Sequence, residues 1–412
     1  MYELFYIYIF IAFLLIITFS YAYIRIKYGF WVVQPVFHVY DFWYMFALPG
    51  IIQHELPREN KYTNFKNIET ITYKELTDIK LQRFLHFINS NYLQNKDNVY
   101  CPKIENLRPY FTGHNDTSFV SFYTEKELIT DLKKGTMVDE QRVIGAMTSR
   151  PIHIFINKGD KDSFFDAYYV DYLCVDKNYR KKGIAPQIIQ THNYNQRHLN
   201  KKISVCLFKR EEELTGIVPL CVYSTYGFSM KKWHKPHELH AMYKLLEINE
   251  QNYHFLVDFM KANTYQFDIL INTEHSNIIE LIKTKNIFIY VLMEGNTNAI
   301  KCAYFYRKTC VFYEKGLEIL SCFASINGFS SGNKNEEIKG RDLFIQGFKI
   351  SFWKTAEKNY FGFAVVENIS HNNVIIENIS MKTVASVISP TAYFFYNFAY
   401  YSFKPEKVLI IN

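Results

Sequence analysis

The sequence predicts an α/β (α+β) fold: two lobes in tandem, each a mixed central sheet flanked by helices, preceded by one N-terminal transmembrane helix. Three observations carry this. Leu4 to Ile24 contains no formal charge, Tyr168 to Gln190 reads as strand, turn and helix, and the order of apolar segments after about Leu246 echoes that of the first half. The expected boundaries are 1–27 for the anchor, 28–245 for the first lobe and 246–412 for the second. With 412 residues, 49% of them hydrophobic and 18% aromatic, the chain has material for two cores, which excludes a disordered protein.

Taken in order, the charge-free run makes a helix about 31 Å long, the thickness of a bilayer core. Glu3 precedes it and Arg25 and Lys27 follow, so the positive-inside bias predicts a single-pass membrane protein with its body facing the cytoplasm. No basic region precedes the run, which argues against a cleaved signal peptide. Tyr73 to Tyr92 has Leu81, Phe84, Leu85 and Ile88 at helical spacing. Val143–Thr148 and Ile152–Ile156 read as two strands of a meander, with Asn157-Lys-Gly-Asp160 turning into the central strand. His153, in an alternating strand, reads as a packed or surface histidine. Ile203–Phe208 is a further strand, and Lys209 to Glu213 a charged excursion. The second half reads as a helix to Lys261, strands near Phe267–Ile271, Ile287–Met293 and Lys301–Tyr306, and a loop from Asn327 to Gly340. A helix from Asp342 to Lys358 and a strand at Phe361–Val366 follow.

Composition narrows the chemistry. The seven cysteines are scattered, odd in number and without a Cys-x-x-Cys pair, a pattern of reduced cytosolic thiols rather than of disulfides or a zinc site. His54-Glu55 has no second histidine four residues after His54, and Pro236 interrupts the spacing of His234, His237 and His240, so no metal is expected. The net charge of +7 is spread along the chain and selects no nucleic acid. Richness in Asn, Lys, Ile and Tyr fits an AT-rich genome such as that of a large virus.

The chemistry-bearing stretch is the basic turn Arg180-Lys-Lys-Gly-Ile-Ala185. Gly183 lets a ligand's phosphates approach main-chain N–H groups, and the helix from Pro186 to about Arg197 aims the positive end of its dipole at them. The spacing Arg-x-x-Gly-x-Ala resembles the pyrophosphate loop of GNAT acyltransferases. The longer segment Tyr172-Leu-Cys-Val-Asp-Lys-Asn-Tyr-Arg-Lys-Lys-Gly-Ile-Ala-Pro186 resembles that of eukaryotic N-myristoyltransferases. So do Tyr28-Gly-Phe-Trp-Val-Val-Gln-Pro-Val36, Tyr393-Phe-Phe-Tyr-Asn-Phe398 and the closing Lys407-Val-Leu-Ile-Ile-Asn412.

This resemblance implies tandem GNAT-like lobes and an acyl-CoA co-substrate, myristoyl-CoA, whose acyl group passes to the N-terminal glycine amine of a protein or peptide. It implies CoA contacts from Tyr28, Gly29, Phe30 and Trp31, from Leu173, Cys174 and Val175, and from Arg180, Lys181, Lys182, Gly183, Ile184, Ala185 and Pro186. It implies an oxyanion hole made by the main-chain N–H groups of Tyr172 and Leu173. The α-carboxylate of Asn412 is the implied base, Thr215 lies near the amine, and Cys174 is strand packing rather than a nucleophile. The ordinary values in water, about 3.5 for an α-carboxyl and about 8 for an α-amine, leave proton transfer from amine to carboxylate uphill by roughly 6 kcal/mol, a gap that burial narrows. Tyr92, Asp97, Asp171 and Asn397 are the implied acceptor-site residues, and a monomer is expected.

Departures from the family pattern bear on substrate choice. Asn91-Tyr-Leu-Gln-Asn-Lys-Asp97 keeps one acid where the family has an acidic run, so attraction for a basic peptide should weaken. Lys181 and Gly183 replace Ser and Arg, and Asp171 replaces Asn. A GNAT-type transferase of acetyl or another short acyl group, and an inactive membrane-tethered binder of acyl-CoA or peptide, both stay open.

Overall fold

The computed structural model describes residues 2–94, 98–130, 137–157, 163–211, 216–313, 316–329 and 334–412. The first half runs α1 (Tyr2–Lys27), α2 (Phe42–Phe46), β1 (Ile68–Thr72), α3 (Asp78–Asn91), β2 (Phe119–Thr130) and β3 (Met137–Ile156). It continues with β4 (Ser163–Val175), α4 (Ile184–Leu199), β5 (Val205–Glu211) and β6 (Cys221–Ser229). The second half begins with β7 (Tyr243–Glu247), α5 (Tyr253–Ala262), β8 (Ile269–Asn272), α6 (His275–Lys283), β9 (Ile287–Glu294) and β10 (Ile300–Tyr313). It closes with β11 (Leu317–Asn327), α7 (Lys334–Asn359), β12 (Phe361–Glu367), α8 (Asn372–Ser380), β13 (Val387–Tyr396) and β14 (Val408–Ile411).

All of these strands belong to one mixed sheet of fifteen, counted among the described residues, whose central order is β14-β8-β3-β4-β5-β13-β6-β12-β11-β10-β9-β7. A repeat invisible as literal sequence appears as topology. β4–α4–β5 and β11–α7–β12 are each a strand, a crossover helix and a parallel strand. The halves interlock, because β13 from near the end of the chain lies between β5 and β6. β8 likewise pairs with β3 on one side and β14 on the other.

The helices dock by the stripes their sequences write. α4 turns Ile184 and Ile188 onto Tyr123 and Ile144, over Gly145, where a Cβ would sit 2.5 Å from the Ile188 Cδ1. Its His192, buried and neutral because desolvation pushes its pKa down to about 4, bridges Ser121 of β2 and Ser149 of β3 at 2.7 and 2.8 Å. α7 places Phe344, Phe348 and Phe352 on one face, against Tyr304 and Tyr306 of β10. From Phe5 to Lys27, α1 is long and apolar enough to cross a membrane, and none of it is buried against the rest of the protein.

Three local expectations change. Val143–Thr148 and Ile152–Ile156 are parts of one strand, β3. Pro151 is tolerated there because the neighbour on one edge changes at that point, from β2, which pairs as far as Ser149, to β8, which starts at His153. α4 starts at Ile184, two residues earlier than expected, since Gly183 takes the left-handed N-cap conformation at φ +74°. α7 starts at Lys334, inside the segment expected to be a loop.

The halves also meet where Gly113 abuts the start of α6. Asn277 donates to the Pro109 and Thr112 carbonyls at 2.8 and 2.6 Å, and Ser276 to that of Gly113 at 2.6 Å. Gly113 has φ +74°, and a Cβ there would lie 2.8 Å from the Asn277 main-chain nitrogen. Gly113→Ala should therefore lower stability by about 2–4 kcal/mol, seen as a lower urea midpoint with an unchanged slope.

Candidate active site

β4 runs antiparallel to β3 but pairs in parallel with β5 only from Ala167–Val170 against Val205–Phe208. Beyond that the parallel strands part, and an apolar cavity of about 430 Å3 opens, lined by Trp31, Met147, Tyr169, Ile189, Phe208 and Tyr396 among others. At the same point β4 bulges. Asp171 pairs with Thr148 and Cys174 with Ala146, so Tyr172 and Leu173 together oppose Met147 alone and have no ladder partner on β5. Tyr172 sits at φ +52°, a strained conformation for a side-chain-bearing residue. Its ring is fixed edge-on to Phe84 at 5.6 Å, and its hydroxyl meets that of Tyr100 at 3.0 Å. The Tyr172 N–H donates to Asp171 Oδ1 at 2.8 Å, and the Tyr92 hydroxyl donates to the same oxygen at 3.2 Å.

After β4 the chain makes the glycine turn. Asp176 caps it by accepting the Asn178 N–H at 2.9 Å and is held by Arg142 at 3.0 Å. Lys181 at φ +63° and Gly183 at φ +74° bend the main chain around a second cavity, of about 600 Å3, at the start of α4. Lys181, Gly183, Ile184, Ala185 and Pro186 line it, with the end of β4 opposite. The first turn of α4, whose N–H groups have no partner within the helix, and the positive end of the helix dipole face this cavity. Arg180 also lines it, but its guanidinium donates to the Val175 and Asn91 carbonyls at 3.2 and 3.1 Å, which ties the turn to α3. Lys182 lies 4.6 Å over the Tyr179 ring and is not among the lining residues.

A third, polar cavity of about 230 Å3 shares Tyr92, Tyr169, Asp171, Tyr172, Lys209 and Glu211 with the apolar one, so Asp171 stands at the junction of the two. Its walls bring together charges from both halves. Lys209 of β5 pairs with Glu367 of β12 at 2.9 Å, and Tyr223 donates a short hydrogen bond to the same carboxylate oxygen. Against burial, Lys209 holds the Glu367 carboxyl below its ordinary pKa, and Glu367 with Glu211 raises the Lys209 ammonium above its own. Arg150 is sandwiched between the rings of Tyr110 and Tyr169 at 5.1 and 5.0 Å. Arg307 donates to the main-chain oxygen of Asn412 and to its Oδ1, the latter at 3.2 Å. Arg150 Nη1, Arg307 Nε and Asn412 Nδ2 are buried donors without a partner among the described residues. Such atoms mark a place for acceptor-rich groups.

The fold thus brings Tyr92, Asp171, Tyr172, Leu173, Cys174, Val175 and the turn residues other than Lys182 around two cavities that share Tyr92, Leu93 and Leu173. Burial pushes the Cys174 thiol up to about 11, as befits a packed residue. Asn412 is buried behind Arg307, which is itself a cavity wall. Of Tyr28, Gly29, Phe30 and Trp31, Trp31 is the one that lines these three cavities, stacked on Phe208 at 5.9 Å. Asn397 is placed elsewhere. At φ +64° its amide accepts from Gln53 N–H and donates to the Gln53 and Ser204 carbonyls, work that clips β5 to the segment before β1. Thr215 and Asp97 lie outside the described residues. Sequence reading missed Lys209, Glu367, Tyr223, Arg150 and Arg307. Their only signal is a charge set within an apolar strand run, as in Tyr304-Phe-Tyr-Arg307.

No family model and no curated protein matches the sequence. Solved structures match the fold. Saccharomyces cerevisiae N-myristoyltransferase with bound myristoyl-CoA aligns at TM-score 0.71 and 11% identity over 92% of this chain and 90% of that one. A second structure of that enzyme aligns at 0.68 and 11% over 91% and 94%. A tandem GNAT protein from the clavulanic acid biosynthesis pathway aligns at 0.50 and 9% over 80% and 98%. The chain therefore has the fold these proteins share.

The buried ion pair makes stability depend on pH in a defined way. A raised Lys209 pKa contributes below about 10.4 and is lost as pH rises through the folded value. A lowered Glu367 pKa contributes above about 4.3 and is lost as pH falls through the folded value. Glu367→Gln should cost about 3 kcal/mol at pH 7, and urea titrations should show its deficit against the natural chain shrinking below about pH 4.

Proposed function

We propose that this protein is an acyl-CoA-dependent N-acyltransferase that moves a tetradecanoyl group to the N-terminal glycine amine of a protein or peptide. In this reading α1 anchors it to a membrane, with residues 28–412 on the cytoplasmic side. The observation that carries the reading is the bulge at Tyr172–Leu173, which sits where an anion-binding turn, an apolar cavity and a polar cavity converge. Pyrophosphate would lie on the turn, the acyl chain between the parted strands, and the thioester carbonyl beside the bulge. The fold shared with N-myristoyltransferase agrees with this arrangement.

The amine nitrogen attacks the thioester carbon, and the negative charge that develops on oxygen is met by the Tyr172 and Leu173 N–H groups. Two fixed donors in a water-poor site contribute several kcal/mol. The C–S bond then breaks, and the CoA sulfur leaves as thiolate and takes up a proton. The α-carboxylate of Asn412, which Arg307 contacts, accepts the amine's proton. Asp171 has two tasks in this scheme. In the resting site it occupies the Tyr172 N–H, and when the acceptor arrives its carboxylate turns to the ammonium. The polar cavity carries Arg150, Lys209, Arg307 and Lys308 against Asp171, Glu211 and Glu367, so acceptors rich in carbonyl or acidic groups suit it better than basic peptides.

Mass spectrometry of the full chain incubated with acyl-CoAs of several lengths and peptides beginning with glycine should show a tetradecanoyl increment on the glycine amine. Transfer of only a short acyl group would reassign the donor, and CoA binding without transfer would leave a binding protein. Residues added after Asn412 should abolish turnover and leave CoA binding intact, while an unchanged rate removes the carboxylate from the mechanism. Asp171→Ala should reduce transfer by about 10- to 100-fold, as expected for a lost charged hydrogen bond. It should also raise acyl-CoA hydrolysis without acceptor, because the Tyr172 donor is then unoccupied.

A further inference from the structure

The chain between Asp41 and Glu55 carries no formal charge and begins with α2, Phe-Trp-Tyr-Met-Phe. This short helix is inverted relative to a soluble protein's surface. Phe42, Trp43 and Phe46 are 67, 85 and 84% exposed, and Met45 is exposed beside them. Tyr44 alone turns inward, edge-on to the buried Phe37 at 5.7 Å. Four large apolar side chains exposed together within one five-residue helix mark a contact surface.

Its position relative to α1 is fixed by the segment joining them. The last turn of α1 runs into a helical turn at Trp31–Val33, with Val32 N–H on the Tyr28 carbonyl at 3.1 Å. His38 then ties three parts together. Its Nε2 meets the Trp31 carbonyl at 2.9 Å, its N–H and Nδ1 meet Asp41 Oδ2 at 2.7 and 3.1 Å, and its ring stacks on Tyr40 at 4.7 Å. Val39 N–H bonds the Gly216 carbonyl at 3.0 Å and secures the segment to the body. Arg25 and Tyr21 of α1 are close enough to act on the Tyr40 hydroxyl. Arg25 and Lys27 lie over the rings of Tyr21, Tyr23 and Tyr28, the basic and aromatic composition of a membrane–water boundary.

We propose that α2 is a second membrane contact: a monotopic aromatic foot, seated in the interfacial layer of the bilayer that α1 crosses. Bilayer is the occupant because the segment that carries this face is tied through His38 and Trp31 to the boundary end of α1, and the face is aromatic rather than aliphatic. The inference rests on α1 as an anchor and not on the acyltransfer reading. Its consequence is orientation. A single spanning helix leaves the body free to swing, whereas a second contact holds Trp31, a wall of the apolar cavity, next to the lipid.

The test uses the full chain in nanodiscs of phosphatidylcholine and phosphatidylserine, on a Cys101→Ser background, since Cys101 is the exposed cysteine among the described residues. Nitroxide labels are attached at Trp43→Cys and Phe46→Cys. Reference labels sit at Ile16→Cys within α1 and at Tyr360→Cys, a position 91% exposed on the body. Power saturation should give 43 and 46 an oxygen-over-nickel-chelate preference between that of 16 and that of 360, as an interfacial depth requires. Labels at 43 and 46 that behave like 360 overturn the inference, and labels shielded from both reagents overturn it in favour of a protein partner. An aqueous label at 16 would refute the anchor and the foot together.

Discussion

Two parallel strands can hold an apolar chain between them only if their ladder stops short, and here it stops after Val170 and Phe208. The rest of the site depends on that parting. The bulge one residue later removes Tyr172 and Leu173 from the ladder, and the Tyr172 N–H is met instead by Asp171 Oδ1. The strain at Tyr172 is carried by a cluster of rings, Phe84, Tyr92, Tyr100 and Phe111, packed around its side chain. Preorganisation of this kind places the cost of the strained conformation in folding rather than in each round of binding.

The second element of order is electrostatic and crosses the whole chain. Lys209 and Glu367 are 158 residues apart in sequence, yet share one cavity wall because β13 and β6 lie between their strands and carry Tyr393 and Tyr223 beside them. Breaking such a pair leaves one charge stranded, so both are held by the same folded state. Arg307 plays the same part on the far side, joining the polar cavity to Asn412.

What was legible in the sequence follows from range. The long apolar N-terminal helix, the strand–turn–helix around Gly183 and the helical stripe of α3 are written in local periodicity and turn chemistry, and each appears close to its expected place. The continuous β3 was not legible, because Pro151 punctuates the sequence while its tolerance depends on where β2 ends and β8 begins. Asn397 reads as part of a motif, but its contacts with Gln53 and Ser204 show that an amide can matter for architecture alone. Arg150 and Lys209 look like surface charges until the tyrosines on other strands are placed around them.

The interleaving of β13 also sets a timetable. The sheet's centre is filled by residues 387–396, between strands that were made far earlier in the chain, so β5 and β6 wait with open edges while all the intervening residues are synthesised. Pairing of such distant segments is slow, because the entropy of closing the loop must be met before the contacts form. The parted strands and the charged cavity therefore come into being together and late. A ribosome-bound fragment lacking β13 has the glycine turn but not the site, and the unpaired edges of β5 and β6 are where such a fragment is open to aggregation.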